Sequence, residues 1–301
     1  MNICYVGKVK SHYWIWLKNA ILTILTLGIY RFWGKTNLRS YIWSHLEIFN
    51  HPFIYHGTPL ELLRGFLKAL PLFLIFIAIQ HGLEALHIYL GIAITSIGLI
   101  WILEFANYSK HQYLYSRTTW QGIRFGLSGS RVKYANLAFT IFVKSLLTLG
   151  LRDHIYFIKQ NRFLCNHVSW GEIPLTFTGN SDDLKKMNYK TWLLIIPTLF
   201  ISRIYFAIYC HRYALSHQAL QGVQLRVKYT IAQFLRFHLA NLLIIICSLG
   251  LASPYVTYRN LKFYQKYWDL EGDAQTLLTQ QSADETTGQD GASALLDLSD
   301  F

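Results

Sequence analysis

The chain has 301 residues and a formal net charge of +12; 52% of them are hydrophobic, 16% aromatic and 15% charged. A soluble globular chain carries about 25% charged residues, and the apolar runs here (66–79, 88–103, 192–201, 242–251) are too long for a buried core alone, which excludes an ordinary soluble domain. Every Lys and Arg lies at or before Lys266, among Trp and Tyr beside apolar runs, so the basic charge points to lipid headgroups and excludes nucleic acid as a partner.

The first predicted element is a helix from about Trp14 to Gly34, with an interfacial continuation through Leu46. It is not a signal peptide, because Tyr30-Arg31-Phe32-Trp33-Gly34-Lys35 follows it where a small-residue cleavage site would stand. Phe49 to Gly57 is extended or turning, marked by His51-Pro52 and His56-Gly57. Helices two and three occupy about 61–80 and 86–107, joined near Gly82. His81, Glu84 and His87 in that joint read as hydrogen-bonded edge residues rather than a metal site.

A polar, aromatic stretch covers 108–134 and alternates around Trp120, Ile123 and Phe125 like a short strand pair outside the bilayer. Its glycines lack the dinucleotide spacing. Helix four is predicted over about 135–157, a soluble segment to 188, helix five over 190–210 and helix six over 234–258. Residues 269–301 are acidic, have no aromatic before Phe301, and read as a disordered tail.

The elements repeat. Thr26-Leu27-Gly28-Ile29, Thr148-Leu149-Gly150-Leu151 and Ser248-Leu249-Gly250-Leu251 each close an apolar run. His45 and His167 lie seventeen residues past the first two glycines, and Gly57 and Gly179 lie twenty-nine past them, each two residues after an aromatic. Residues 111–122 also align with 211–222. The expected fold is therefore an all-α polytopic membrane domain over 1–268 with about six transmembrane helices and short extended segments in its loops. It is built of about two and a half repeats (about 13–134, 135–233 and 234–268). Gly28, Gly57, Gly150, Gly179 and Gly250 mark the repeat, Gly57 and Gly179 at turns needing an unusual backbone angle. Six crossings put equivalent loops on opposite sides, an inverted repeat, unless helix two or three is re-entrant.

Two sets of side chains are candidates for function. Arg203, Lys144 and Glu104 fall inside apolar runs, where an isolated charge is costly, and could line a polar pathway, with Arg203 paired to an acid such as Glu104. Arg31, Lys35 and Arg39 are spaced by four on one helical face and, with Arg117 and Arg124, could contact headgroups or another anion. No catalytic, cofactor or metal constellation can be assembled from spacing. Cys4, Cys165, Cys210 and Cys247 form no C-x-x-C and read as ordinary thiols.

The strings TLGIYRFWGKTNLRSYIWSH, FIYHGTPLELLRGF and YSRTTWQGIRFGLSGS, within about residues 10–268, closely resemble the YjgN family, a domain-of-unknown-function family of bacterial inner-membrane proteins. The chain departs from that family's K-x-R-x-x-R-Y pattern, reading Lys35, Asn37, Ser40 and Tyr41. The resemblance implies a multi-pass inner-membrane location and no established activity. The expectation is a non-enzymatic carrier or channel for a small solute; the alternative is a lipid-contacting scaffold.

Overall fold

In the computed structural model, which describes residues 3–272, the first predicted helix is broken in the middle. Helix α1 (Val9–Leu25) stops, the chain passes through two left-handed residues, Leu27 (φ 50°) and Gly28 (φ 93°), and α2 (Arg31–Ser44) runs back. The Gly28 N–H reaches the Thr23 carbonyl at 2.7 Å, closing the helix end as a left-handed cap does. The Thr26 hydroxyl serves both helices: it donates to the Leu22 carbonyl at 2.7 Å and accepts from the Tyr30 N–H at 2.9 Å. Where no water is at hand each backbone group must find a protein partner, and this one side chain supplies two.

The same reversal occurs at Leu149-Gly150, Leu199-Phe200 and Leu249-Gly250, all left-handed, with the hydroxyls of Thr148, Thr198 and Ser248 bonded to the preceding turn. Predicted helices four, five and six are therefore pairs: α5 (Arg131–Leu147) with α6 (Asp153–His167), α7 (Ser181–Leu193) with α8 (Ile201–Ser216), and α9 (Ile231–Cys247) with α10 (Ser253–Tyr267). Between the first and second of these reversals lie two longer helices, α3 (Pro59–Leu86) and α4 (Ile88–Ser116), joined at His87. Thr58 and Glu61 cap α3 reciprocally, with Pro59 in its first turn.

Between helix pairs the chain is β. The strands are β1 (Ile3–Tyr5), β2 (Leu46–Ile48), β3 (His51–Tyr55), β4 (Thr118–Trp120), β5 (Ile123–Leu127), β6 (Val168–Trp170), β7 (Ile173–Phe177), β8 (Gln218–Leu220), β9 (Val223–Val227) and β10 (Trp268–Glu271). They pair antiparallel in sequence order. Tight turns at Gln121-Gly122 and Gln221-Gly222, with φ positive at both residues, suit two-residue hairpins. One apolar cluster gathers Ile48, Phe53, Trp120, Ile123, Phe125, Trp170, Ile173, Leu220, Val223 and Leu270 from nine consecutive strands. Such a cluster can form only if the sheet curls around it. The ring nearly closes: β1 adjoins β10, and Lys262 Nζ on α10 donates to the Tyr5 carbonyl at 2.7 Å.

The expected all-α, six-span fold is thus corrected. Among the described residues the element order β-α-α-β runs five times, not two and a half. Asp269, Leu270 and Glu271 belong to β10 rather than to a tail; the rest of the predicted tail lies outside the described residues. Odd strands all run one way, so all five helix pairs leave one rim of the ring and the β-turns sit on the other. Neither the inverted repeat nor a re-entrant helix two or three is needed.

Helix length then sorts the pairs. At about 1.5 Å per residue, α3 and α4 (28 and 29 residues) reach about 42 Å from the rim. The other helices, of 13 to 17 residues, reach about 20 to 25 Å. Among the described residues only Pro59–Ala85 and Gly91–Ser116 are apolar and long enough to cross a hydrocarbon layer of about 30 Å.

Candidate functional site

Exposed apolar side chains gather at the reversals of the four short pairs. Leu27, Leu199 and Leu249 are 95%, 82% and 92% exposed, beside Ile24, Leu25, Leu147, Ile196, Phe200 and Ile246. Nothing among the described residues covers them.

Beneath two of these tips lies a polar network. Arg203, at the start of α8, is ion-paired to Asp153 at the start of α6, and its Nη1 donates to Asn188 Oδ1 on α7 at 2.9 Å. Asn188 is fully buried; its Nδ2 donates to the Leu151 carbonyl at 2.8 Å and lies 3.1 Å from His154 Nδ1. Ser145 Oγ donates to Asp153 at 2.5 Å, and Trp192 Nε1 to the Leu149 carbonyl at 2.8 Å. The network therefore supplies donors to carbonyls that the 149–151 reversal leaves unsatisfied. A cavity of about 250 Å³ lined by Phe142, Ser145, Leu146, Leu149 and Gly150 borders it.

A second network sits at the rim. Arg117 grips Glu61 with Nε and Nη2, each at 3.1 Å; Tyr113 donates to the same carboxylate at 3.0 Å, and Arg39 Nη1 to Tyr55 Oη at 3.2 Å. The Glu61 carboxylate beside it holds the Arg117 guanidinium above its ordinary range. Where Arg117 closes α4, His45, His167 and His217 close α2, α6 and α8, each Nδ1 bonded to the carbonyl four residues back.

The residues singled out from sequence are scattered by the fold. Arg203 faces other helices, and its acid is Asp153, not Glu104. Glu104 is half-buried on α4 with Oε2 unpartnered. Lys144 is exposed on α5 and joins neither. Of the predicted anion contacts, Arg117 is committed to Glu61, and Arg124 is exposed on β5, three residues from the rim toward the β-turns. Arg31 and Lys35 are exposed along α2, with Arg39 half-buried below them. Gly28, Gly150 and Gly250 take positive φ; Gly57 and Gly179 do not. Those two lie two residues past β3 and β7, where a Cβ would stand 2.3 Å from Tyr55 Oη and 2.4 Å from Phe177 Cζ. Asp153, Asn188, His154 and Ser145 were missed. The signal was available: Asp153 follows Gly150 by three, as Arg203 follows Phe200, so equivalent positions carry opposite charges.

A strand ring with helical hairpins on one rim, two helices long enough to cross a bilayer and a set of exposed apolar tips fit an integral membrane protein. The family model described as "Bacterial protein of unknown function (DUF898)" matches residues 1–202 and 191–297, and the chain belongs to that family. It is similar to the "Inner membrane protein YjgN" of Salmonella typhimurium strain LT2, 33% identical over 130 residues, covering 43% of this chain and 32% of that protein. The protein of the same name from Escherichia coli K12 is 26% identical over 169 residues, covering 56% and 40%. The chain thus spans less than half the length of these curated relatives. They support the YjgN resemblance and a place in the bacterial inner membrane. No solved structure matches.

Proposed function

We propose that this protein is a non-enzymatic, lipid-contacting membrane scaffold: a strand ring at one membrane surface, anchored by α3 and α4, with four shorter hairpins entering the near leaflet. The observation that carries this reading is the set of exposed leucines at Leu27, Leu149, Leu199 and Leu249, a surface too apolar to face water. The depths support it. Apolar sequence on α3 begins near Phe66, about 10 Å above the rim, so tips at 20 to 25 Å lie about 10 to 15 Å inside the hydrocarbon.

The carrier reading draws on the Arg203 network. Against it, those side chains are bonded to one another and to backbone carbonyls, and the strand ring is filled by Trp120, Trp170 and Val223 with their neighbours.

The test is depth. In a Cys247→Ser background, fluorophores on cysteines replacing Leu27 or Leu249 should be quenched by acyl-brominated lipid and not by aqueous iodide. A fluorophore at His51, on the other end of the ring, should show the reverse. Iodide reaching the tips would overturn the reading.

A further inference from the structure

We propose that Arg31, Lys35, Arg39 and Lys110 form a headgroup site for an anionic phospholipid carrying two phosphates. The inference rests on the scaffold reading and names the lipid it would hold.

The three α2 cations share one face at spacings of four. Lys35, Arg39 and Lys110 lie about 14, 8 and 9 Å above the rim by helical rise, around the level where α3 turns apolar. Arg31 starts higher, about 20 Å up, but its guanidinium lies 5.4 Å from the Phe66 ring centroid and 5.2 Å from that of Phe32. Its charge is therefore carried down to the same level, as a snorkelling arginine carries it. The nearby acid, Glu61, is already held by Arg117. Tyr55 Oη accepts from Arg39 and donates to Tyr113 Oη at 3.5 Å, and Lys110 stands one turn from Tyr113 on α4, which brings it beside the α2 cations. Burial and then the charges of Arg31, Arg39 and Lys110 also lower the affinity of Lys35 for its proton. Four cations with no acid of their own among the described residues match two phosphates.

The other hairpins serve as internal controls. At the places of Lys35 and Arg39 they carry Phe157 and Asn161, Ala207 and His211, and Thr257 and Leu261. The fold builds the same helix without these charges, so packing does not require them. Phe32 and Phe66, their ring centroids 5.5 Å apart, give the site an apolar wall suited to acyl chains rather than to a free ion.

The experiment is native mass spectrometry of the full chain in mild detergent, titrated with tetraoleoyl cardiolipin or dioleoyl phosphatidylcholine. The wild type should retain cardiolipin at least about tenfold better. Lys35→Glu with Lys110→Glu should erase that preference, and Lys144→Glu, an exposed cation elsewhere, should keep it. If charge reversal prevents folding, Lys35→Gln with Lys110→Gln, checked by an unchanged melting temperature, must lower the preference instead. Equal retention of the two lipids, an unaffected double variant, or an equal loss in Lys144→Glu overturns the proposal. Displacement of cardiolipin by millimolar inorganic phosphate would overturn its commitment to lipid. Failure here with the tips still buried in lipid sinks this site alone; tips open to iodide sink the scaffold reading first.

Discussion

On the scaffold reading, Arg203 shows how one charge can be tolerated at membrane depth. Its guanidinium meets Asp153 and Asn188 and lies over the Phe206 ring, 4.7 Å from the centroid. Removing it leaves Asp153 unpaired at about one-quarter exposure. Breaking a fully buried pair costs about 3–5 kcal/mol; with part of this pair exposed, about 2–3 kcal/mol is expected for Arg203→Ala. Arg226→Ala, which breaks the well-exposed pair with Glu271, should cost less than about 1 kcal/mol. Thermal unfolding in detergent checks both, and the double variant Asp153→Ala with Arg203→Ala should recover part of the loss. Equal effects of the two single variants would show that the Arg203 pair holds nothing together.

At the scale of elements, the lesson is the difference between a span and a reversal. An apolar run of twenty residues fits a crossing helix or a hairpin whose tip is immersed. Here the Thr-Leu-Gly signature decides, because a left-handed pair with a hydroxyl before it turns the chain inside the run. Only α3 and α4 cross on this reading, and they should account for resistance to extraction. Removing 70–84 and 90–104 makes that pair as short as its neighbours. The shortened protein should still bind vesicles through its tips but be released by alkaline carbonate, whereas the wild type stays. Resistance in the shortened protein would mean that the short hairpins anchor it unaided.

The whole molecule depends on a seam between its first and last strands. The last strand at that seam, β10, is held on its other side by β9, where Lys228 Nζ donates to Asp269 Oδ2 at 2.8 Å. That hydrogen bond above all pulls the Asp269 carboxyl down to about 2. A lowered folded-state value means that the unfolded chain binds the proton first. The stabilisation is therefore complete above about pH 4 and is lost as pH falls toward 2. The pair is partly exposed, so the effect is small and screened by salt. The melting temperature of the wild type should exceed that of Asp269→Asn by about 2 °C at pH 6, and the two should converge near pH 2. A gap that persists at pH 2 would assign the loss to packing rather than charge.

The sequence by itself determined the solvent. Charge scarcity, long apolar runs and cations among aromatics said membrane, because hydrocarbon selects composition directly. It also marked three of the four reversals, though not how many units the chain has, since Thr-Leu-Gly and Ser-Leu-Gly are local devices with local chemistry. Gly57 and Gly179 were found for the wrong reason: the constraint is the aromatic ring two residues earlier, which only side-chain packing reveals. Tertiary structure alone decided what the runs do. Strands of three to five residues are too short to leave a period-two signal, so β1, β2, β6 through β10 and the ring they close were invisible. Without the ring, nothing forces all five helix pairs onto one rim, and equivalent loops fall on opposite sides. The partner of Arg203 was hidden for the same reason. Asp153 lies fifty residues away and comes within reach only because consecutive antiparallel strands set neighbouring hairpins side by side.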